Sequence, residues 1–309
     1  MKLVRPMFAT LSSEVPSGPQ WVFEEKYDGI RALAYRTGGT GGTVRLWSRN
    51  GLDLTAGFPE VAAAVAALPD GDLVLDGELV VFDAKGVSRF QLLQRRGAGA
   101  RTAYVLFDLL ERDGEPLLKR PLKERRAALE GPVGDRRGVL RVSRRLGKNG
   151  ARARETAQQR GWEGVVAKDE RSIYEPGARS RSWLKIKVRK QSEFVIGGYT
   201  APGGSRAHLG ALLVGLYDGP SLRFTGKVGT GYTAETLAEL ATLLAPLRTE
   251  TSPFGDAPRM KDATWVKPKL VAQIAFAEWT ADGKLRQPVF LGLRRDKSPR
   301  ECRWDEREP

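Results

Sequence analysis

Apolar residues along this chain fall into short runs, and many of the runs carry a charged residue at one place. Leu73-Val74-Leu75-Asp76-Gly77-Glu78-Leu79-Val80-Val81-Phe82 reads as a buried strand broken by two acids and a glycine. Tyr104-Val105-Leu106-Phe107-Asp108-Leu109-Leu110 repeats the theme, and Trp162 to Lys168 is an apolar strand with an acid near one end and a lysine at the other. Ser182 to Val188 alternates, with Trp183, Lys185 and Lys187 on one face and Leu184, Ile186 and Val188 on the other. Near the start, Trp21-Val22-Phe23 and Ala32-Leu33-Ala34-Tyr35 flank Glu24-Glu25-Lys26-Tyr27-Asp28-Gly29-Ile30-Arg31, whose Tyr-Asp-Gly is a turn signal. Val44 to Arg49 pairs with Arg31 to Arg36 as an antiparallel hairpin through the glycine-rich Thr37–Gly42, and Asn50-Gly51 makes the next turn. Helical spacing marks Phe58–Leu68, Leu122–Leu129 and Arg152–Arg160.

The pattern changes after Lys190. Phe194–Tyr199, Leu209–Tyr217, Leu222–Val228, Val271–Trp279 and Val289–Leu293 are short strand candidates, with a helical segment at Ala234–Leu247. Five strands around one helix fit a small Greek-key barrel of the oligonucleotide-binding type. The expected fold is therefore α+β: antiparallel sheets with helices over residues 1–190, then a β-barrel over 191–309. A chain of 309 residues suits two domains.

Composition narrows the function. At 41% hydrophobic residues a sizeable core is available. No apolar run approaches the roughly 18 residues that a membrane helix needs, and the N-terminus lacks the shape of a secretory signal, so the expected location is the cytoplasm. A single cysteine, Cys302, excludes an internal disulfide framework and a Cys-rich zinc site. One histidine, His208, leaves little for histidine-based acid–base chemistry. The net charge is +14, and Arg141–Lys190 holds fifteen basic against five acidic residues. Such clustering is the footprint of a phosphate-backbone binder.

Candidate chemistry centres on Lys26: a possible nucleophile, an aspartate two residues on, a glycine that permits a bend and an arginine able to bind phosphate. Acids inside apolar strands are costly unless they are paired or bind something. The two lysines on one face of Ser182–Val188 suit either a solvated surface or an anion. Neither a Gly-x-x-x-x-Gly-Lys-Ser/Thr loop nor a Gly-x-Gly-x-x-Gly fingerprint occurs, so a nucleotide site must be built from side chains.

In order along the chain, these segments resemble the motifs of ATP-dependent DNA ligases, members of the covalent nucleotidyltransferases. Lys26-Tyr27-Asp28-Gly29-Ile30-Arg31 is similar to the signature motif. Ser48-Arg49-Asn50-Gly51, Asp76-Gly77-Glu78, Phe107-Asp108, Glu163 to Lys168 and Trp183 to Lys187 resemble those that follow. Gly226 to Tyr232 and Phe290 to Lys297 resemble the bacterial end-joining type, ligase D, and its stand-alone relatives.

The resemblance implies that Lys26 attacks the α-phosphate of ATP and leaves a covalent lysyl-AMP. The AMP then passes to the 5′-phosphate of nicked double-stranded DNA, and the 3′-hydroxyl displaces it. It also implies that Glu24 meets the adenine, Phe107 stacks on it and Glu78 binds the ribose, while Arg31 and Arg49 hold sugar and phosphate. Lys168 joins this nucleotide-binding set. Lys185 and Lys187 should neutralise the α-phosphate and favour the neutral amine of Lys26. Asp28 and Glu163 are the implied ligands for Mg²⁺ or Mn²⁺. Arg294, Asp296 and Lys297 would reach ATP from the barrel, with a hinge near Lys190. Arg295 departs from the pattern, which often has an acid there. With no further DNA-encircling domain ahead of Lys26, the basic segment 141–190 and the barrel are expected to grip DNA. The implied protein is a monomer with no membrane partner, working with Ku or with polymerase and nuclease modules of end joining. Two alternatives stay open: an RNA ligase or GTP-using capping-type enzyme, and a non-catalytic basic DNA-binding module.

Overall fold

The charged apolar runs of the first half become strands of two sheets that face each other. In chain order the strands are β1 (Phe8–Leu11), β2 (Trp21–Lys26), β3 (Ile30–Thr37), β4 (Thr43–Ser48), β5 (Leu73–Val81), β6 (Thr102–Arg112), β7 (Glu115–Pro116), β8 (Leu140–Val142), β9 (Gly164–Asp169) and β10 (Arg179–Lys187). The helices among them are α1 (Pro59–Ala66), α2 (Phe90–Gln94), α3 (Leu122–Val133) and α4 (Gly150–Arg160). The computed structural model describes residues 3–69, 71–94, 101–134, 138–188, 190–202, 208–257, 260 and 262–307. The chain forms two units, Met1–Arg189 and Lys190–Pro309.

In the first unit, one sheet runs β1-β10-β9-β2 and the other β4-β3-β5-β6-β7, with β8 beside β6. Pairing is antiparallel except for β1 with β10 and β6 with β8. The β3–β4 hairpin forms as the sequence suggests, with Thr37 opposite Thr43. The turn after Lys26 does something the pattern does not reveal: β2 and β3 belong to different sheets, so the Tyr27–Gly29 bend carries the chain from one to the other.

Alternation along the strands builds three apolar layers. Leu33, Tyr35, Val74, Leu110 and Trp183 fill the space between the sheets. Phe23, Val165, Ala167 and Ile186 cover the far face of the first sheet against Ala153 and Ala157 of α4. Leu46, Leu75, Leu79 and Leu106 line the far face of the second sheet against Val61 and Val65 of α1 and Leu129 of α3. Local signals fix the helix ends. Asn149 caps α4 by accepting a hydrogen bond from the Arg152 N–H at 3.0 Å, and Gly161 closes it at a φ of 64°.

The second unit holds β11 (Gln191–Thr200), β12 (Leu212–Asp218), β13 (Ser221–Val228), α5 (Ala234–Leu244), β14 (Arg248–Thr249), β15 (Ala263–Ala275), β16 (Glu278–Trp279), β17 (Leu285–Arg286) and β18 (Val289–Leu293). Strand order is β13-β12-β11-β15, with β14 and β18 both on β15. Such non-consecutive pairing belongs to a Greek-key barrel. The expected strand Val271–Trp279 needs correction: it starts at Ala263 and stops at Ala275. Pro268 disguises its first half. It falls where the ladder to β11 skips from Leu270 to Trp265, so its missing N–H interrupts no bond to β11.

Candidate active site

Side chains alternate along β2, so Glu24 and Lys26 share one face while Phe23 and Glu25 take the other. Register extends that face across the sheet. Lys26 lies opposite Gly164 of β9, and Gly164 opposite Lys187 of β10. One row down, Glu24 lies opposite Val166, and Val166 opposite Lys185. Strand pairing thus gathers Glu24, Lys26, Lys185 and Lys187 on the face turned toward the second sheet. Gly164 keeps the gap between Lys26 and Lys187 clear, and a Cβ there would overlap the backbone of Ile186 and Lys187. Lys26 Nζ donates to Glu163 Oε2 at 2.6 Å. The glutamate is 6% exposed and the lysine 21%, so the amine is reachable while its partner is buried.

Arg31, Asp76, Glu78 and Phe107 come from the facing sheet. Arg31 lies opposite Glu78 across the β3–β5 ladder. Its guanidinium binds Asp76 through two N–H groups at 2.9 and 2.6 Å, and also donates to the Met7 carbonyl at 2.6 Å and the Tyr174 hydroxyl at 3.3 Å. Tyr174 in turn donates to Asp76 at 2.7 Å. The Asp76 carboxylate holds Arg31 firmly in its charged form against the cost of burial. Asp76, completely buried, is therefore the partner that makes an arginine affordable between the sheets.

A second network surrounds Glu24. Its carboxylate accepts from Lys168 Nζ at 2.9 Å, from Ser143 Oγ at 2.7 Å and from Arg126 Nη1 at 3.2 Å. Burial pushes the Glu24 carboxyl up, but Lys168 and Arg126 outweigh it and hold the group below the usual range. Burial also draws Lys168 down, opposed by Glu24. The Lys168 ammonium sits 4.6 Å from the Phe107 ring centroid and 4.4 Å from that of Trp183, and Arg31 lies 5.3 Å from Phe107. Next to Phe107, Asp108 forms a fully buried two-pronged pair with Arg125 at 2.8 Å.

Arg49 follows the end of β4, with its guanidinium 4.7 Å from the Phe8 ring centroid. Asp28 is buried in the bend. Arg294, Asp296 and Lys297 lie in the second unit and form a network there. Arg294 binds Asp296 through two N–H groups at 2.9 and 2.8 Å and Gln273 at 2.6 Å, while Lys297 reaches Glu193 at 3.2 Å. Arg295 points outward to Glu239 at 2.6 Å. Among the described residues no group of three or more His, Cys, Asp or Glu side chains able to hold a metal ion is found.

Sequence reasoning missed Tyr174, Met7, Arg126 and Ser143. None sits in a motif: Tyr174 lies in a loop, and Arg126 reads as an ordinary charged helix residue. Asp76 was visible as an acid in an apolar strand and Arg31 as a candidate phosphate ligand, but their pairing with each other was not.

Known proteins resemble this chain along nearly its whole length. Residues 6–187 match the family described as the ATP dependent DNA ligase domain, and residues 205–297 the ATP dependent DNA ligase C terminal region. The chain belongs to the ATP-dependent DNA ligase family. It is 43% identical over 301 residues to the multifunctional non-homologous end joining DNA repair protein LigD of Mycobacterium tuberculosis, covering 96% of this chain and 39% of that protein. Against LigD of Pseudomonas aeruginosa it is 41% identical over 308 residues, 96% of this chain and 36% of that one. A DNA ligase of Thermococcus onnurineus is 35% identical over 339 residues, with 99% and 58% covered. The chain therefore spans well under half the length of these LigD relatives. Among solved structures, mycobacterial DNA ligase D complexed with ATP and MES superposes with a TM-score of 0.72 at 40% identity, covering 97% of both chains.

Proposed function

We propose that this chain is an ATP-dependent DNA ligase of the end-joining type in which Lys26 carries AMP to a nick. The observation that supports this best is Lys26 itself: a partly exposed amine held at 2.6 Å by buried Glu163, with Lys187 beyond a bare glycine on the same face. In the first step Nζ bonds to the α-phosphorus of ATP, the bond to the bridging oxygen breaks, and pyrophosphate leaves. The amine must be neutral to attack, and its proton goes to an acceptor within hydrogen-bond reach; Glu163 is in that position. Lys185 and Lys187 offset the negative charge on the phosphate. Next, a 5′-phosphate oxygen of the nick displaces Lys26 from AMP. The 3′-hydroxyl then bonds to that 5′-phosphate and AMP leaves.

Phe107 presents a ring for the adenine, Glu24 an ionised acceptor, and Glu78 with Arg31 the ribose and phosphate contacts. Lys168 keeps Glu24 charged. Arg49 meets the nick phosphate. Asp28 and Glu163 are the carboxylates that would hold Mg²⁺ or Mn²⁺. Hard cations take oxygen ligands of this kind, and a bound ion would supply charge neutralisation during phosphoryl transfer. Residues 1–190 act as the nucleotidyltransferase domain and 191–309 as the barrel. For Arg294, Asp296 and Lys297 to reach ATP, the network they form within the second unit must open. No helix of the described residues is long and apolar enough to cross a membrane, and Ku or polymerase and nuclease modules are the partners suited to end joining.

Incubation with labelled ATP or GTP, followed by nicked DNA, tests the reading. Wild type should form a covalent adduct with ATP and seal the nick, and Lys26→Ala should do neither. Labelling by GTP alone would favour a capping-type enzyme. Full sealing by Lys26→Ala would leave a DNA-binding module with an ornamental lysine.

A further inference from the structure

The bend that carries Lys26 is gripped by a segment to which no motif points. Between β5 and α2 the chain makes a tight hairpin, with Phe82 bridged to Ser88. Asp83 closes it: its backbone N–H donates to the Val87 carbonyl at 2.8 Å, and its Oδ1 accepts from the N–H groups of Lys85 and Val87 at 2.9 Å. Arg89 braces the same carboxylate at 3.0 Å. Both ends of the hairpin then touch the Tyr27–Gly29 bend. Ser88, 3% exposed, accepts a hydrogen bond through Oγ from the buried Asp28 N–H at 3.0 Å. The Phe82 ring meets the Tyr27 ring edge-on with centroids 6.4 Å apart and planes at 87°. Between these contacts Gly29 is pressed so close to β5 that a Cβ would overlap the Leu79 carbonyl and the Val80 side chain.

We propose that the Phe82–Ser88 hairpin is a clamp that sets the position of Lys26, with Ser88 as its positioning residue. The inference rests on the reading of Lys26 as the nucleophile. Lys26 ends β2, so the only covalent route from it to the second sheet is the three-residue bend. Its neighbours in the first sheet fix one side of that junction, and the hairpin fixes the other. A nucleophile must come within about 3–3.5 Å of the phosphorus on the correct line, and a misplacement of about 1 Å costs on the order of a hundredfold in rate. Without the Ser88 oxygen, the Asp28 N–H is buried without that acceptor, and the bend gains a reason to move toward water.

The chemistry supplies a clean test. Forming and transferring lysyl-AMP needs the Lys26 amine in place. Sealing a nick that already carries AMP on its 5′-phosphate forms no bond to Lys26. Full-length wild type, Ser88→Ala, Ser88→Thr and Asp83→Ala are compared in single-turnover lysyl-AMP formation and in sealing of a pre-adenylylated nick. Ser88→Ala should slow adenylylation about ten- to hundredfold, while sealing of the pre-adenylylated nick, which needs no bond to Lys26 but still involves Asp28, should fall by a clearly smaller factor. Ser88→Thr keeps the acceptor and should restore most of the adenylylation rate. Asp83→Ala loosens the hairpin from its exposed side and should show the same selectivity in weaker form. Ser88→Ala and Asp83→Ala both adenylylating at the wild-type rate would overturn the proposal, as would equal slowing of both reactions. If Ser88→Ala fails to fold, the Asp83→Ala comparison decides between the same two results. A wild type that forms no lysyl-AMP would overturn the functional reading itself, a result distinct from a wild type that reacts beside variants that react equally well.

Discussion

Replacing Glu25 by glutamine should remove a pH dependence from the stability of the first unit. Glu25 sits beside Lys26 but on the far face of the sheet, 4% exposed, with no hydrogen-bond partner for Oε1 among the described residues. The nearest cation, Arg144, is 3.9 Å away and itself 54% exposed. Burial pushes the carboxyl up to about 7, against the weaker opposing pull of Arg144, the Tyr27 hydroxyl and Arg160. In the unfolded chain the group titrates near 4.5. The folded state therefore holds the proton more tightly, and its advantage is complete below the unfolded value and lost as pH rises through about 7. At about 1.36 kcal/mol for each unit, the loss by pH 8 is about 3 kcal/mol. Glutamine stays neutral and avoids it. Urea unfolding followed by tryptophan fluorescence between about pH 5 and pH 8.5, with separate transitions fitted for the two units, measures the difference. The variant's stability relative to wild type should climb across that window. Parallel profiles would refute the claim that Glu25 is buried without adequate compensation.

Other expectations follow from the same structure. Arg125→Met removes the cation that opposes the burial of Asp108, whose carboxyl is already pushed up by burial, and should destabilise the first unit by about 3–5 kcal/mol, whereas Arg125→Met with Asp108→Leu should recover most of it in the same urea assay. Phe107→Ala should weaken ATP use by about 1–3 kcal/mol if the ring stacks on the base; an unchanged ATP dependence of adenylylation would reject that role. Gly164→Ala puts a methyl against the backbone of β10 and should cost about 1–3 kcal/mol of stability, with slower lysyl-AMP formation as Lys26 and Lys187 are pushed apart. Nick binding measured by fluorescence anisotropy should fall steeply with salt, since a basic surface releases counterions on binding, and a flat profile would contradict it.

Much of the site is readable in the sequence because strand geometry is periodic. Once Ser182–Val188 is taken as a strand, Lys185 and Lys187 must share a face, and the fold only has to bring Lys26 alongside. The strand candidates after Lys190 were legible for the same reason, apart from the half of β15 hidden by Pro268. What stayed illegible was pairing at a distance. Nothing local distinguishes Arg126 from its neighbour Arg125, although one holds Glu24 and the other Asp108. Tyr174 and Ser88 are single polar residues in connections, and their meaning comes wholly from partners 98 and 60 positions away. Likewise, the turn at Tyr27–Gly29 was plain, but its role in joining two sheets depends on which strands later segments choose.

The strand order β1-β10-β9-β2 also fixes when the surroundings of Lys26 can assemble during synthesis. The β3–β6 ladder of the second sheet uses residues 30–112, so it can close early as the chain emerges. The first sheet waits: Glu163 lies 137 positions beyond Lys26, and Thr10 reaches across 170 to Ser180. Closing loops of that size makes this sheet the slow, high-contact-order part of the unit. Until β9 and β10 leave the ribosome, β2 has only the bridge to Arg145 beside it and Lys26 has neither Glu163 nor the paired lysines. The residue proposed to carry AMP is made well before the strands that surround it, and those surroundings are among the last in the first unit to assemble.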